Sequence, residues 1–351
     1  MIACILFATV TLHAAKADKV IVRVNVYDEV YLSQADQDAE IKRLAEDGVK
    51  TVRTGLGWNT AYFITQAFKH GIGTVAIVYP DADSKAKRKG AGAGVPFSQV
   101  DPQVFAHWFK INLDRMEAAG VRLTAIELGN EFNMSGGNGD ISKPGSGVVL
   151  GLSRLKDPDD LEGRPIAAGY RVYVQVAAAL KDLRDHSKLN KTTPIIVGGL
   201  VDWGLVGQKT WNHELGVGLP DTIQFLRENG LDKLVDGYGV HIYPSGDPHL
   251  PMSTRVSELE HLFSECKPDT KPCWLTEWGL PNSNQVCPLD DRRTPGFQAV
   301  RTALKKFVEK GRLAAVVYYS WTGPPDPKAE PLSIFRCGAL TDAGKLALSP
   351  L

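Results

Sequence analysis

The sequence has no excess of charge of either sign, with 40 Lys+Arg against 40 Asp+Glu. That balance excludes both the basic footprint of a nucleic-acid binder and the acidic tract of a disordered tail. No apolar run reaches the roughly 20 residues that a membrane-spanning helix needs. Cysteine is sparse, five in 351 residues, with no CxxC pair and no neighbouring HxxxH, so no zinc site is read. A glycine-rich turn after the first apolar run would mark a doubly wound nucleotide-binding sheet. Tyr27-Asp28-Glu29 stands there instead. The stretch GAGAG at 90–94 lacks the lysine and hydroxyl of a phosphate loop. It reads as a loop beside the solvated basic run 85–89. No metal and no organic cofactor is expected.

What is present begins with an apolar stretch over 2–15, followed by Ala15-Lys16-Ala17. Small-x-small after a short apolar segment is the pattern of a secretory signal cut near Ala17. It predicts a signal over 1–17, a single mature domain over 18–351, and a secreted or periplasmic protein. Cleavage removes Cys4 and leaves Cys266, Cys273, Cys287 and Cys337. In an exported chain these are disulfide candidates with three possible connectivities, although Cys273 inside a strand also fits a buried thiol. Asn133 and Asn190 begin glycosylation sequons by pattern.

Eight strand-like apolar runs follow, at 20–28, 49–58, 71–80, 123–133, 194–203, 235–244, 272–281 and 314–322. Most carry Val and Ile without clean alternation, as parallel strands covered on both faces do. Helical periodicity falls between them at 35–47, 102–119, 169–186, 221–228, 253–265 and 297–310, with a short piece after Trp58. Asp101 is placed to cap the second of these, and Gly48, Gly120, Gly230 and Gly311 stand at helix ends. Eight βα repeats predict one (β/α)₈ barrel, with a long loop at 134–165 after strand four.

Barrel chemistry sits at the C-terminal ends of strands. Two runs end there in glutamate, at Asn130-Glu131 and at Thr276-Glu277-Trp278-Gly279. A buried carboxylate is costly unless it is used, and two facing one mouth suit glycoside hydrolysis, which needs a carboxyl pair. His241 and Tyr243 share one face of strand six, with Ile242 turned away. Trp58, Trp203, Trp278 and Trp321 all stand near C-terminal strand ends, where an aromatic plane can stack on a sugar ring. Glu127 shares the inward face but lies a layer deeper and reads as structural. Trp108 reads as helix packing. Asp28, Asp202 and His213 lie near strand ends without a motif behind them.

With Asn130-Glu131 on strand four and Glu277 on strand seven, the chain resembles clan GH-A, the retaining (β/α)₈ glycosidases. The resemblance implies that Glu131 is the acid/base and Glu277 the nucleophile. It further implies that Asn130 binds the sugar 2-hydroxyl, that Tyr243 donates to Glu277, that His241 lines the sugar site, and that Arg53 lies beside the nucleophile. Trp321 matches the clan's strand-eight tryptophan, which floors the site. A cation and a phenol beside Glu277 are expected to keep it ionised, and a more apolar site to keep Glu131 protonated. The expected function is retaining hydrolysis of a β-linked polysaccharide by a monomer. The long loop and the mouth tryptophans favour endo action. A transglycosidase with the same glutamates and a non-catalytic carbohydrate-binding barrel are the alternatives.

Overall fold

The computed structural model describes residues 22–27, 31–88, 93–143, 145–210, 214–244, 259, 262–263, 271–281, 293–322 and 332–351. The signal segment, Asp28, His213, Cys266, Cys287 and most of the helical stretch at 253–265 lie outside them, and so does the side chain of Trp58.

Eight parallel strands close into a barrel. They are β1 (Val22–Asn25), β2 (Thr51–Gly55), β3 (Gly73–Val78), β4 (Ala125–Leu128), β5 (Ile195–Val201), β6 (Gly237–Ile242), β7 (Cys273–Trp278) and β8 (Leu313–Tyr318). Each lies within or beside one of the eight apolar runs. Pairing runs in chain order, and β1 closes on both β2 and β8. The doubly wound alternative is therefore excluded.

Between the strands run α1 (Gln34–Glu46), α2 (Ala61–Lys69), α3 (Pro102–Ala118), α4 (Gly163–Asp185), α5 (Leu219–Glu228) and α6 (Thr294–Glu309), and α7 (Asp342–Leu348) closes the chain. Local chemistry sets their ends. Asp101 accepts from the Gln103 N–H at 2.8 Å, with Pro102 at the first helical position. Gly120, past the end of α3, takes φ +77°, a conformation that costs other residues more. Phe105, Phe109, Leu113 and Met116 are spaced to line one face of α3 and are buried against the barrel.

The long loop after β4, expected from its length to favour endo action, packs back on the barrel. It is folded against the outer shell by buried polar contacts. Asp140 accepts from the Ser98 N–H at 2.8 Å and the Ser98 hydroxyl at 2.5 Å. Val149–Leu150 pairs with Gly216–Val217, and a short helix spans Leu152–Lys156. Its polar residues satisfy backbone groups instead of facing the mouth. Both sequons are closed as well: Asn133 and Asn190 are fully buried, with Asn133 bonded to the Val201 and Val217 carbonyls and Asn190 to the Leu123 N–H. Cys273 and Cys337 are both disulfide-bonded.

Phe105 is fully buried and stacks on Phe109 at 6.0 Å. Phe105→Ala is expected to lower stability by about 3–5 kcal/mol, against about 1 kcal/mol for Asp101→Ala. Chemical denaturation of both variants measures the ordering; equal costs would refute this account of how α3 is held.

Candidate active site

The floor of the mouth is built on one guanidinium. Arg53, from β2, is fully buried and uses all five of its N–H donors. Nε and Nη2 hold Glu127 at 2.5 and 3.0 Å; Nη1 reaches Asn25 and Glu277, both at 2.7 Å; Nη2 also reaches Asn130 at 2.6 Å. Burial alone would lower its pKa, but the charges of Glu127 and Glu277 more than offset that and raise it. Glu127 is completed by the Gly199 N–H at 2.9 Å, which makes it the structural residue that its depth suggested.

Glu277 sits at the end of β7, where pairing with β6 skips a residue: Val240 faces Leu275, and His241 faces Glu277. The irregularity turns Thr276 and Glu277 toward the same partner. His241 Nε2 lies 3.1 Å from the Thr276 hydroxyl, and His241 Nδ1 lies 3.5 Å from Glu277. The two oxygens of Glu277 accept separately, one from Arg53 and one from the Tyr243 hydroxyl. Two donors from different strands lock the carboxyl's rotation. Burial first, then the charge of Glu277, pushes the Tyr243 phenol well above its usual pKa, so it stays a donor at neutral pH.

Glu131 arrives differently. β4 ends at Leu128, Gly129 turns the chain at φ +82°, and Glu131 itself has φ +48°. That left-handed conformation costs a non-glycine residue ~1–2 kcal/mol. It is held by the Glu131 N–H donating to the Gly199 carbonyl at 2.7 Å and by burial of the next side chain, Phe132, whose ring lies 4.4 Å from that of Tyr173. Its carboxyl meets His241 Nδ1 at 3.0 Å. A histidine with its proton on Nδ1 satisfies both contacts, donating to Glu131 and accepting from Thr276. A Cβ on Gly199 would lie 1.8 Å from His241 Nε2, so β5 must carry glycine where the imidazole crosses.

Glu131, His241 and Glu277 bring ligand-capable atoms within 4.8 Å of one another. The donor set suits a carboxyl pair better than a metal. His241 Nδ1 faces a carboxylate it can donate to, both Glu277 oxygens are occupied by donors, and the charge of Arg53 opposes a cation.

Glu131 corrects one expectation. Burial does oppose its ionisation, but the His241 hydrogen bond, the His241 charge and the Arg53 charge together outweigh burial and lower its pKa. The surroundings of Glu131 are not apolar.

The tryptophans correct another. Trp278 is 1% exposed and packs outward against Phe297 of α6 at 5.2 Å. Trp321 is 0% exposed, and its indole donates to Glu40 on α1. Trp203 is 7% exposed, with its indole N–H donating to the Asn133 carbonyl at 3.2 Å. None of these three lines the mouth. Strand alternation explains Trp278: inward Glu277 forces its neighbour outward.

The mouth holds a cavity of about 770 Å³ whose lining includes Arg53, Asn130, Glu131, Tyr243 and Glu277. Its aromatic wall is tyrosine: Tyr27, Tyr31, Tyr79 and Tyr319, with Tyr243. Tyr319 stands edge-on to Tyr243 at 6.1 Å. The sequence pointed to Tyr243 alone among them; Tyr27, Tyr31, Tyr79 and Tyr319 were passed over because only tryptophan was taken as a stacking signal. Tyr27, Tyr79, Tyr243 and Tyr319 each follow a barrel strand by one or two residues, the same signal. Asn25 was missed too, although Arg23 and Asn25 alternate in an apolar strand, which aims both into the barrel.

No protein-family model matches the chain, and no curated protein matches it in sequence. Solved structures do match in fold. A fungal β-1,4-galactanase is 14% identical, with a TM-score of 0.57 over 93% of this chain and 99% of its own. The endo-1,4-β-D-mannanase of Thermotoga petrophila is 13% identical, with a TM-score of 0.58 over 94% and 98%. The endo-1,4-β-mannanase of Rhizomucor miehei is 12% identical, with a TM-score of 0.58 over 94% and 93%. At these identities the likeness establishes the barrel.

Two outcomes follow from the geometry. Arg53→Met removes the one cation shared by four acceptor groups, including two buried carboxylates, and is expected to cost about 3–5 kcal/mol, read by chemical denaturation. His241→Leu removes two of the influences that lower the Glu131 pKa and leaves burial, so that pKa rises. A step needing protonated Glu131 then survives to higher pH, and the alkaline limb of the kcat/KM profile moves upward; an unmoved limb would refute the pairing.

Proposed function

We propose that the chain is a retaining β-glycoside hydrolase of the clan GH-A type. The observation that carries this reading is the carboxyl pair. Glu131 and Glu277 present oxygens within 4.8 Å of each other, close to the ~5–5.5 Å of retaining enzymes and far from the ~6.5–9.5 Å of inverting ones. A separation on this scale favours direct attack by a carboxylate over activation of an intervening water.

In this mechanism Glu277, held by Arg53 and Tyr243, attacks the anomeric carbon. The bond to the leaving oxygen breaks as Glu131 gives that oxygen a proton. The covalent glycosyl-Glu277 is then opened by water, whose proton returns to Glu131. Asn130, fixed through its side-chain oxygen by Arg53, has its amide N–H groups available for the sugar 2-hydroxyl. Tyr319 and Tyr243 provide aromatic surface beside the reacting ring.

The likeness in fold to galactanase and mannanase barrels supports a β-linked glycan as substrate. Endo action on a polysaccharide is the finer reading, and it no longer rests on mouth tryptophans or on the long loop. Chain-length analysis of early products tests it. Disulfide-bonded Cys273 and Cys337 support an exported enzyme.

Mechanism is tested with a 2-deoxy-2-fluoro glycosyl donor, which stalls the second step. Labelling of Glu277, found by peptide mass spectrometry, is expected. Glu131→Ala should lower kcat/KM by about 10²–10⁴-fold on natural leaving groups yet spare aryl leaving groups that depart unprotonated. Glu277→Ala should spare neither. Glycan binding without turnover or labelling would overturn the reading in favour of a binding barrel. Transfer to an added sugar acceptor in place of water would mark a transglycosidase.

A further inference from the structure

One wall of the cavity has no role in the chemistry above. The chain leaving β3 turns sharply at the rim, with the Ala82 N–H donating to the Tyr79 carbonyl at 3.0 Å and the Ser84 N–H to the Asp81 carbonyl at 2.9 Å. Ala86 packs against the hydrophobic core, which pins the segment beyond the turn. Tyr79, Asp81, Ala82 and Arg88 of this segment all line the cavity. The exposed rings of Tyr27 and Tyr31 line it as well, 6.2 Å apart and edge to face.

Two cations reach the cavity wall among the described residues, Arg53 and Arg88. Arg53 is saturated: five donors serve four acceptor groups, two of them carboxylates. Arg88 is exposed and lies within ion-pair distance of no described carboxylate. Lys85 and Lys87, on the same segment, are exposed too and form no ion pair among the described residues. The acidic group on this wall is Asp81, and burial raises its pKa against the pull of Arg88. A guanidinium that lines a sugar cleft and has no hydrogen-bond partner among the described residues is matched by a planar carboxylate, which it can bind through two parallel hydrogen bonds.

We infer that the β3 wall is a subsite for an acidic sugar, with Arg88 pairing to the carboxylate of a uronic acid residue whose ring stacks on the exposed tyrosines. The substrate class is then a β-linked glycan containing uronic acid. Lys85 and Lys87 add long-range attraction, which salt screens over about 10 Å at 0.1 M. This inference rests on the glycosidase reading and adds its substrate class.

The test uses pairs of polymers that differ in one group: uronic-acid-containing β-glycans and the same glycans after chemical reduction of their carboxylates to alcohols. Linkage and chain length are kept, and charge is lost. Wild type is expected to cleave the acidic member of one pair with roughly ten- to a hundredfold higher kcat/KM, the range of a charge-assisted hydrogen bond. The preference should sit in KM and shrink with added salt. Arg88→Gln should remove it while leaving cleavage of the reduced polymer unchanged, an outcome that general loss of folding cannot produce. Lys85→Gln/Lys87→Gln should weaken only its salt-sensitive part. Equal cleavage of both members, a preference for reduced polymers, or a preference that survives Arg88→Gln would overturn the inference and leave the glycosidase standing. Failure of the fluoro-glycosyl donor to label Glu277, with no polymer cleaved, would instead remove the reading on which it rests.

Discussion

The site depends on one buried cation. Arg53 ties Asn25 of β1, Glu127 of β4, Asn130 beyond β4 and Glu277 of β7 into a single network across the barrel floor. An unpaired guanidinium at this depth would be severely destabilising, and so would the carboxylates without it. Each partner therefore holds the others in place. Because the strands come from distant parts of the chain, closing the barrel and assembling the site are one event. The layer beneath is apolar, with Val75, Ala125, Ile196, Trp274 and Ala315, and the buried guanidinium of Arg23 lies 4.9 Å over the Trp274 ring.

That network separates the two carboxyls by environment. Glu277 is clamped by donors on both oxygens, whereas Glu131 reaches inward from a strained turn and contacts His241. The lowered pKa of Glu131 has a definite sign. Its acid form declines as pH rises through that lowered value, so a step that requires its proton is favoured on the acidic side. Polar contacts, not an apolar pocket, distinguish the two glutamates.

Much of this was legible before any coordinates. The eight apolar runs became eight barrel strands because parallel strands buried on both faces need continuous Val and Ile, a local requirement. Asn130, Glu131, Glu277, His241, Tyr243 and Arg53 converge because C-terminal strand ends of a barrel share one mouth. The tryptophans were misread because position along a strand does not give depth. Trp278 follows an inward residue and so must face the helices, and Trp321 is buried with its indole donating to Glu40 on α1. The length of the loop after β4 was legible, but not the direction in which it folds. Asp140 and Asn133 are polar in order to satisfy buried backbone groups.

By itself the sequence determined the barrel, the order of its strands and the residue types delivered to its mouth. These follow from periodicity and from chain order, which local interactions and short connections enforce. Tertiary structure alone decided the rest. The skipped residue in the β6–β7 pairing sets Glu277 against His241, and the left-handed turn at Glu131 brings its carboxyl to the same imidazole. Gly199 leaves the space through which they meet. Register and close approach depend on neighbours remote in the chain, and a separation of a few ångströms between two carboxyls is a property of the closed barrel, not of either strand.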